Sequence, residues 1–230
     1  MKSVRRHATL ITAAIGISFR FSALAATVIY NNSTNDLVTR FSTGGSQIGD
    51  QIVLSNPEAR WLSRFSFEFY GTNTANPFAF AGANVQAQVR FYLNDGPLFN
   101  GYATPGTMFY DSGLFAVGGP TSRSTFIFAA GSDWSSGGLF VNANEMTWTV
   151  QFSGLGGTDE LGVDLYSPPV IGGNYPDYWE FTGGSWKLMT NTLPMSFGAY
   201  AEAVPEPSGF VLSLLGVGLL GFIRWRRNAA

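Results

Sequence analysis

Val85-Gln86-Ala87-Gln88-Val89-Arg90-Phe91-Tyr92-Leu93 sets an apolar side chain at every second position and a polar or amphipathic one between each pair. That is the period of a strand, whose successive side chains point to opposite faces, whereas a helix repeats every 3.6 residues. One face of such a strand is core and the other faces water. The same alternation recurs in Phe65, Phe67 and Phe69 against Ser66 and Glu68, and in Met146, Trp148, Val150 and Phe152 against Thr147, Thr149 and Gln151. Shorter strand candidates lie at residues 28–30, 37–41, 47–54, 108–115, 123–129, 161–166, 178–181, 186–189 and 196–201. Asn94-Asp95-Gly96-Pro97, Gly118-Gly119-Pro120, Gly137-Gly138, Gly156-Gly157 and Gly183-Gly184 fall between them, where turns need positive or fixed φ. About twelve short strands with turns at this spacing predict an all-β domain, an antiparallel sandwich of jelly-roll type. The pattern shows no interior domain boundary, and 201–208 reads as the only linker.

The two ends have a different character. Residues 1–25 carry Lys2, Arg5 and Arg6 ahead of an apolar stretch and then Ser22-Ala23-Leu24-Ala25, the charged, apolar and small-residue order of a secretory signal peptide. At the other end, Val204-Pro205-Glu206-Pro207-Ser208 precedes the uncharged run 209–223, which is followed by Arg224-Trp225-Arg226-Arg227. As a helix, that run would extend about 23 Å at ~1.5 Å per residue, short but near spanning length. Basic residues stay on the cytoplasmic side, so Arg224, Arg226 and Arg227 predict a C-terminal transmembrane helix with everything before Ser208 outside. The chain thus divides into a leader at 1–25, a sandwich at 26–203 and a tail at 204–230.

Removing both ends changes the electrostatics. The whole chain has a formal charge of −2, but 26–203 holds six of the thirteen basic residues against fourteen of the fifteen acidic ones, a net −8. Such a surface repels phosphates and offers no basic stripe for nucleic acid. There is no cysteine, and the only histidine, His7, lies in the leader. A Ser-His-Asp hydrolase, a cysteine protease and a zinc site built from imidazole or thiolate are therefore excluded from the mature domain.

The order Pro205-Glu206-Pro207, apolar helix, arginine cluster resembles the bacterial PEP-CTERM sorting signal. The resemblance implies recognition and cleavage by a membrane-embedded exosortase, with Pro205, Glu206 and Pro207 as the recognition element. It also implies that 209–223 with Arg224, Arg226 and Arg227 form a transient anchor in the bacterial inner membrane. The competing reading is an ordinary single-span tail anchor. Val28-Ile29-Tyr30-Asn31-Asn32, Tyr110-Asp111-Ser112-Gly113 and Tyr178-Trp179-Glu180 are similar to a group of exported PEP-CTERM proteins, which implies placement and fold but no chemistry.

Three kinds of chemistry are open to the sandwich. Glu145, Asp159, Glu160, Asp164, Asp177 and Glu180 could furnish the two carboxylates of a polysaccharide hydrolase or lyase, which need to lie about 5 to 9.5 Å apart; isolated acids on strand exteriors are otherwise solvated surface. Asp50, Asp95 and Asp111 are candidates for calcium, although Asn94-Asp95-Gly96 is equally a hairpin turn. Trp134 and Trp179, beside Asp133 and Asp177, could stack on a sugar, or else cover the ends of the sandwich. Trp148 belongs to an apolar face and is assigned to the core. The expectation is a non-enzymatic structural or adhesive protein of the envelope or exopolysaccharide matrix, with weak carbohydrate binding as a secondary property. No cofactor is expected. A carboxylate-based hydrolase or lyase is the alternative.

Overall fold

A computed structural model describes residues 25–57, 59–190, 195–205 and Arg224. The expected signal helix and transmembrane helix lie outside the described residues, apart from Arg224, which is exposed. Among the described residues no helix is long and apolar enough to cross a membrane.

The strands are β1 (Thr27–Asn31), β2 (Asp36–Ser42), β3 (Gln47–Val53), β4 (Ala59–Asn73), β5 (Gln86–Tyr92), β6 (Leu98–Phe99), β7 (Tyr102–Ala103) and β8 (Met108–Asp111). They continue with β9 (Phe115–Ala116), β10 (Thr121–Ala129), β11 (Leu139–Phe140), β12 (Glu145–Ser153), β13 (Asp159–Tyr166), β14 (Gly173–Asn174), β15 (Asp177–Thr182), β16 (Ser185–Thr190) and β17 (Ala199–Pro205). The first sheet runs β1-β17-β4-β13-β2, and β10 and β11 lie along the opposite edge of β4. The second runs β16-β15-β3-β12-β5-β8, with β14 beside β3 and β9 beside β5. All these strand pairings are antiparallel, and the two sheets pack into the sandwich that the alternation predicted.

The core lies between them, built from the residues at every second position. Phe65 of β4 meets Phe91 of β5 at 4.8 Å between ring centroids and Trp148 of β12 at 5.4 Å, so rings from opposite sheets interlock. Trp148, Phe65, Phe67, Phe91 and Phe152 are fully buried. Edge-on and offset ring contacts of this kind add stabilisation beyond the area buried, and in a chain without cysteine this packing does what disulfides do in smaller exported domains.

β4 is longer than the sequence alone indicates. Its period breaks at a bulge where Leu62 and Arg64 oppose Ala203 and Glu202, and Gly71 interrupts the apolar alternation further on. Gly71 is instead a close-packing position, because a Cβ there would stand 2.7 Å from the Phe80 ring. The expected linker 201–208 also needs correction. Residues Ala201 to Pro205 belong to β17, which pairs with β4 as far as Pro205 opposite Ala59. The strand therefore runs two residues beyond the boundary drawn at Ala203, and the first residue of the sorting element is part of the sheet.

Candidate functional site

The outer face of the second sheet is polar and rich in amides and hydroxyls, with Arg90 paired to Asp111 among them. Gln47 and Gln51 on β3, Thr147, Thr149 and Gln151 on β12, and Gln88, Arg90 and Tyr92 on β5 lie on it in register, with Gln151 opposite Gln88 and Thr149 opposite Arg90. Amide and hydroxyl side chains at alternating positions produce this surface, and the in-register pairing turns three separate strand patterns into one. Gly49 lets the layer lie close, since a Cβ at that position would come within 2.8 Å of Thr147 and Thr149 methyls.

Hydrogen bonds fix these side chains. Gln47 donates through Nε2 to Tyr92 Oη at 3.1 Å and to Thr149 Oγ1 at 2.9 Å. Arg90 donates to Gln47 Oε1 at 3.0 Å and to Gln88 Oε1, while its Nε lies 3.1 Å from Asp111. Burial raises the Asp111 pKa, but bonds from Gln88, the Gly113 N–H and Arg90 outweigh that and hold the carboxyl below its ordinary range. The guanidinium charge is thus neutralised within the layer.

An open cleft of about 800 Å³ lies against this face, lined by Gln47, Arg90, Gln151 and the aromatic side chains Tyr92, Phe181 and Trp186, with the Gly44–Ser46 and Thr182–Gly183 turns at its ends. Tyr92 and Trp186 stand on strands four places apart in the sheet, about 19 Å at ~4.8 Å per step. Their ring centroids are nevertheless 5.5 Å apart, so the two side chains reach toward each other over the strands between them. Phe181 also packs on Trp186, at 5.1 Å between ring centroids, and remains 39 % exposed. The cleft is lined by no carboxylate.

The residues singled out in the sequence lie elsewhere. Trp179 is 1 % exposed and donates its indole N–H to Gln51 Oε1 at 3.2 Å, and with so little of its ring exposed it presents no face for stacking. Trp134 packs among Phe91, Tyr110 and Phe128 at the rim of the core. Trp134 is half-buried there, and the polar residues beside it belong to the adjoining turn. Asp133 accepts bonds from the Ala129 N–H and the Ser132 hydroxyl within such a turn.

The six acids are likewise dispersed. Asp159 accepts N–H bonds from Ala81, Gly82 and Gly156 and clamps a loop. Glu160 accepts from Tyr70 Oη at 2.7 Å, and Glu145 accepts from Gln51 and Tyr175. Glu180 stands opposite Lys187, and burial raises the pKa of Asp177. Asp164 is 1 % exposed on the outer face of the first sheet, not a solvated strand position. Arg40 lies 3.5 Å from it, and Arg123 reaches Asp164, Glu68 and Asp36 together. Burial raises the Asp164 carboxyl above its ordinary range against the pull of both guanidinium groups. These groups bound a cavity of about 380 Å³ lined by Val38, Arg40, Arg123 and Asp164.

The candidate calcium ligands are also apart. Asp95 holds Thr107 through its N–H and hydroxyl, Asp111 is in the Arg90 network, and Asp50 points into the core, where it accepts the Phe197 N–H at 2.9 Å. Among the described residues no three His, Cys, Asp or Glu converge as a metal site.

This arrangement defines the body as an antiparallel β-sandwich whose last strand leads directly into the tail. Residues 203–228 match the PEP-CTERM protein-sorting motif, consistent with an exosortase substrate. The motif supports an exported protein that is membrane-associated and then processed. No curated protein and no solved structure matches the chain.

Gln47, Arg90, Tyr92 and Gln151 were present in the sequence as the polar or amphipathic members of alternating strands. The signal that could have found them is the excess of amides over charges at Gln86, Gln88, Gln47, Gln51 and Gln151. Which strands lie side by side is long-range information that no local pattern carries.

Proposed function

We propose that the protein is held in the inner membrane by residues 204–230 and then processed for the cell surface or extracellular matrix, where it acts without catalysis as a structural or adhesive component. The single observation that carries this reading is the PEP-CTERM match at 203–228. The body supports it: the cleft over the second sheet has aromatic and amide walls and, among the described residues, no carboxylate, a composition suited to contact and not to glycosidic bond cleavage. Carbohydrate contact is accordingly the secondary property.

Fractionation of cells that express the full chain, with and without an exosortase, tests this reading. Accumulation at the surface or in the matrix only when the exosortase is present supports it. Equal retention in the inner membrane in both strains contradicts it.

The alternative, a carboxylate-based hydrolase or lyase, rests on Asp164. Its carboxyl is raised by burial, it lines a cavity of about 380 Å³ and it shares Arg123 with Glu68, the second acid nearby. Reducing-sugar release that is abolished by Asp164→Asn would favour it over the adhesive role.

A further inference from the structure

We propose that the cleft formed by Gln47, Arg90, Tyr92, Gln151, Phe181 and Trp186 is a binding site for a neutral polysaccharide, engaging a short run of uncharged pyranose units. The proposal rests on the matrix-facing role above and gives it a site and a ligand class.

Four observations converge on that ligand. First, the wall is aromatic: Trp186 stands between Tyr92 and Phe181, and all three line the cleft while Trp186 and Tyr92 retain partial exposure. The C–H face of a pyranose packs on such rings, and a rigid aromatic gives contact area at little cost in side-chain entropy. Second, the floor is made of side chains that both donate and accept hydrogen bonds, as sugar hydroxyls do. Gln47 and Gln151 carry amides, Tyr92 a phenol, and the Gly44–Ser46 turn supplies backbone groups. Third, the floor is held before any ligand arrives. Gln47 is bound to Tyr92, Thr149 and Arg90, and Gln151 reaches the Gly45 carbonyl at 3.3 Å, so little further ordering is required on binding.

The fourth observation is electrostatic and selects a neutral chain over an acidic one. Among the described residues Arg90 is the only charged group lining the cleft, and its nitrogens are engaged by Asp111, Gln47 and Gln88. A uronate or sulfated sugar would find no free cation there, and residues 26–203 carry a net −8 that repels polyanions. The cleft is open along its length and about 800 Å³ in volume, within the range of small-molecule sites. An open cleft admits the middle of a chain as well as its end.

The test is affinity electrophoresis of the full chain, kept in a detergent without a sugar headgroup, through gels containing neutral glucans, mannans and galactans or the polyuronates alginate and pectate. Three variants accompany it: Trp186→Ala, Gln151→Ala and, as a control away from the cleft, Trp61→Ala, which removes the partner of Phe140 on the other sheet. Thermal melting of each variant verifies that it is folded. The expected result is retardation by at least one neutral polymer, weakened at least tenfold by Trp186→Ala and severalfold by Gln151→Ala, and unchanged in Trp61→Ala. Where Trp186→Ala does not fold, Gln151→Ala alone decides. The proposal is overturned if no neutral polymer retards the protein, if only the polyuronates do, or if the cleft variants bind as the wild type does. Those failures leave the sorting and matrix reading standing, because that reading is decided by exosortase-dependent fractionation and not by glycan binding.

Discussion

Asp50 shows how a single residue can carry a cost that its position in the pattern conceals. It occupies an inward position on β3, is fully buried, and has one carboxylate oxygen bound to the Phe197 N–H while the other has no partner. Burial outweighs the lowering effect of the Phe197 N–H bond and, with a smaller push from Asp177, leaves its pKa well above the ordinary value, so the native state keeps a proton that the unfolded chain loses near pH 4. The sign follows: the group's contribution is full below the unfolded pKa and is lost as pH rises through the folded one. Asp50→Asn keeps the acceptor and removes the ionisation. It should stabilise the protein by about 1–3 kcal/mol at pH 8 and by little at pH 4, read as the difference between the two melting curves. Val38 is a second such residue: β-branched, 88 % exposed and held at φ 53° in an irregular stretch of β2. Val38→Asn tolerates that region and should raise stability by about 1 kcal/mol, or 2–4 °C in Tm.

At the scale of elements, β17 has two roles. It joins β1 to β4 in the first sheet, and its last residue is the first of the Pro205-Glu206-Pro207 element. A chain ended after Pro207 should melt like the full body, whereas one ended after Gly198 strips the shared edge of β1 and β4 and should not fold, which circular dichroism would report. The Arg123 network ties β2, β4, β10 and β13 on the outer face of that sheet. Because the Arg123 side chain is 45 % exposed, Arg123→Ala should cost only about 1–2 kcal/mol in urea unfolding, below the range for a fully buried pair. The sequence made most of these elements legible. Period two found the strands at 85–93 and 146–152 because each has one dry face; it missed the outer parts of β4, where a bulge and Gly71 interrupt the alternation. It also read 201–205 as a linker, since Pro205 terminates a strand as readily as it begins a loop. For Trp134 and Trp179 the sequence left sugar stacking and covering of the sandwich ends open, because neighbouring turn residues report the exposure of the backbone and not of the ring. Trp186 was legible only as a strand residue, because the cleft it lines is made by pairings far apart in sequence.

For the whole molecule, the two faces of the sandwich differ in kind. The outside of the first sheet is held by arginine and carboxylate pairs, and the outside of the second offers amides and aromatic rings in a cleft. Because β17 runs to the start of the sorting motif, the proposed processing beyond Pro205 would leave a body that keeps every strand among the described residues. The most direct test of this is the intact mass and C-terminal peptide of the protein recovered from cells that possess an exosortase, compared with cells that lack one. The expected mass is that of a chain without its leader, ending at or just beyond Pro205, and only in the first strain. Recovery of residues 209–230 on the protein from both strains, or a new terminus upstream of Ala199, would contradict it.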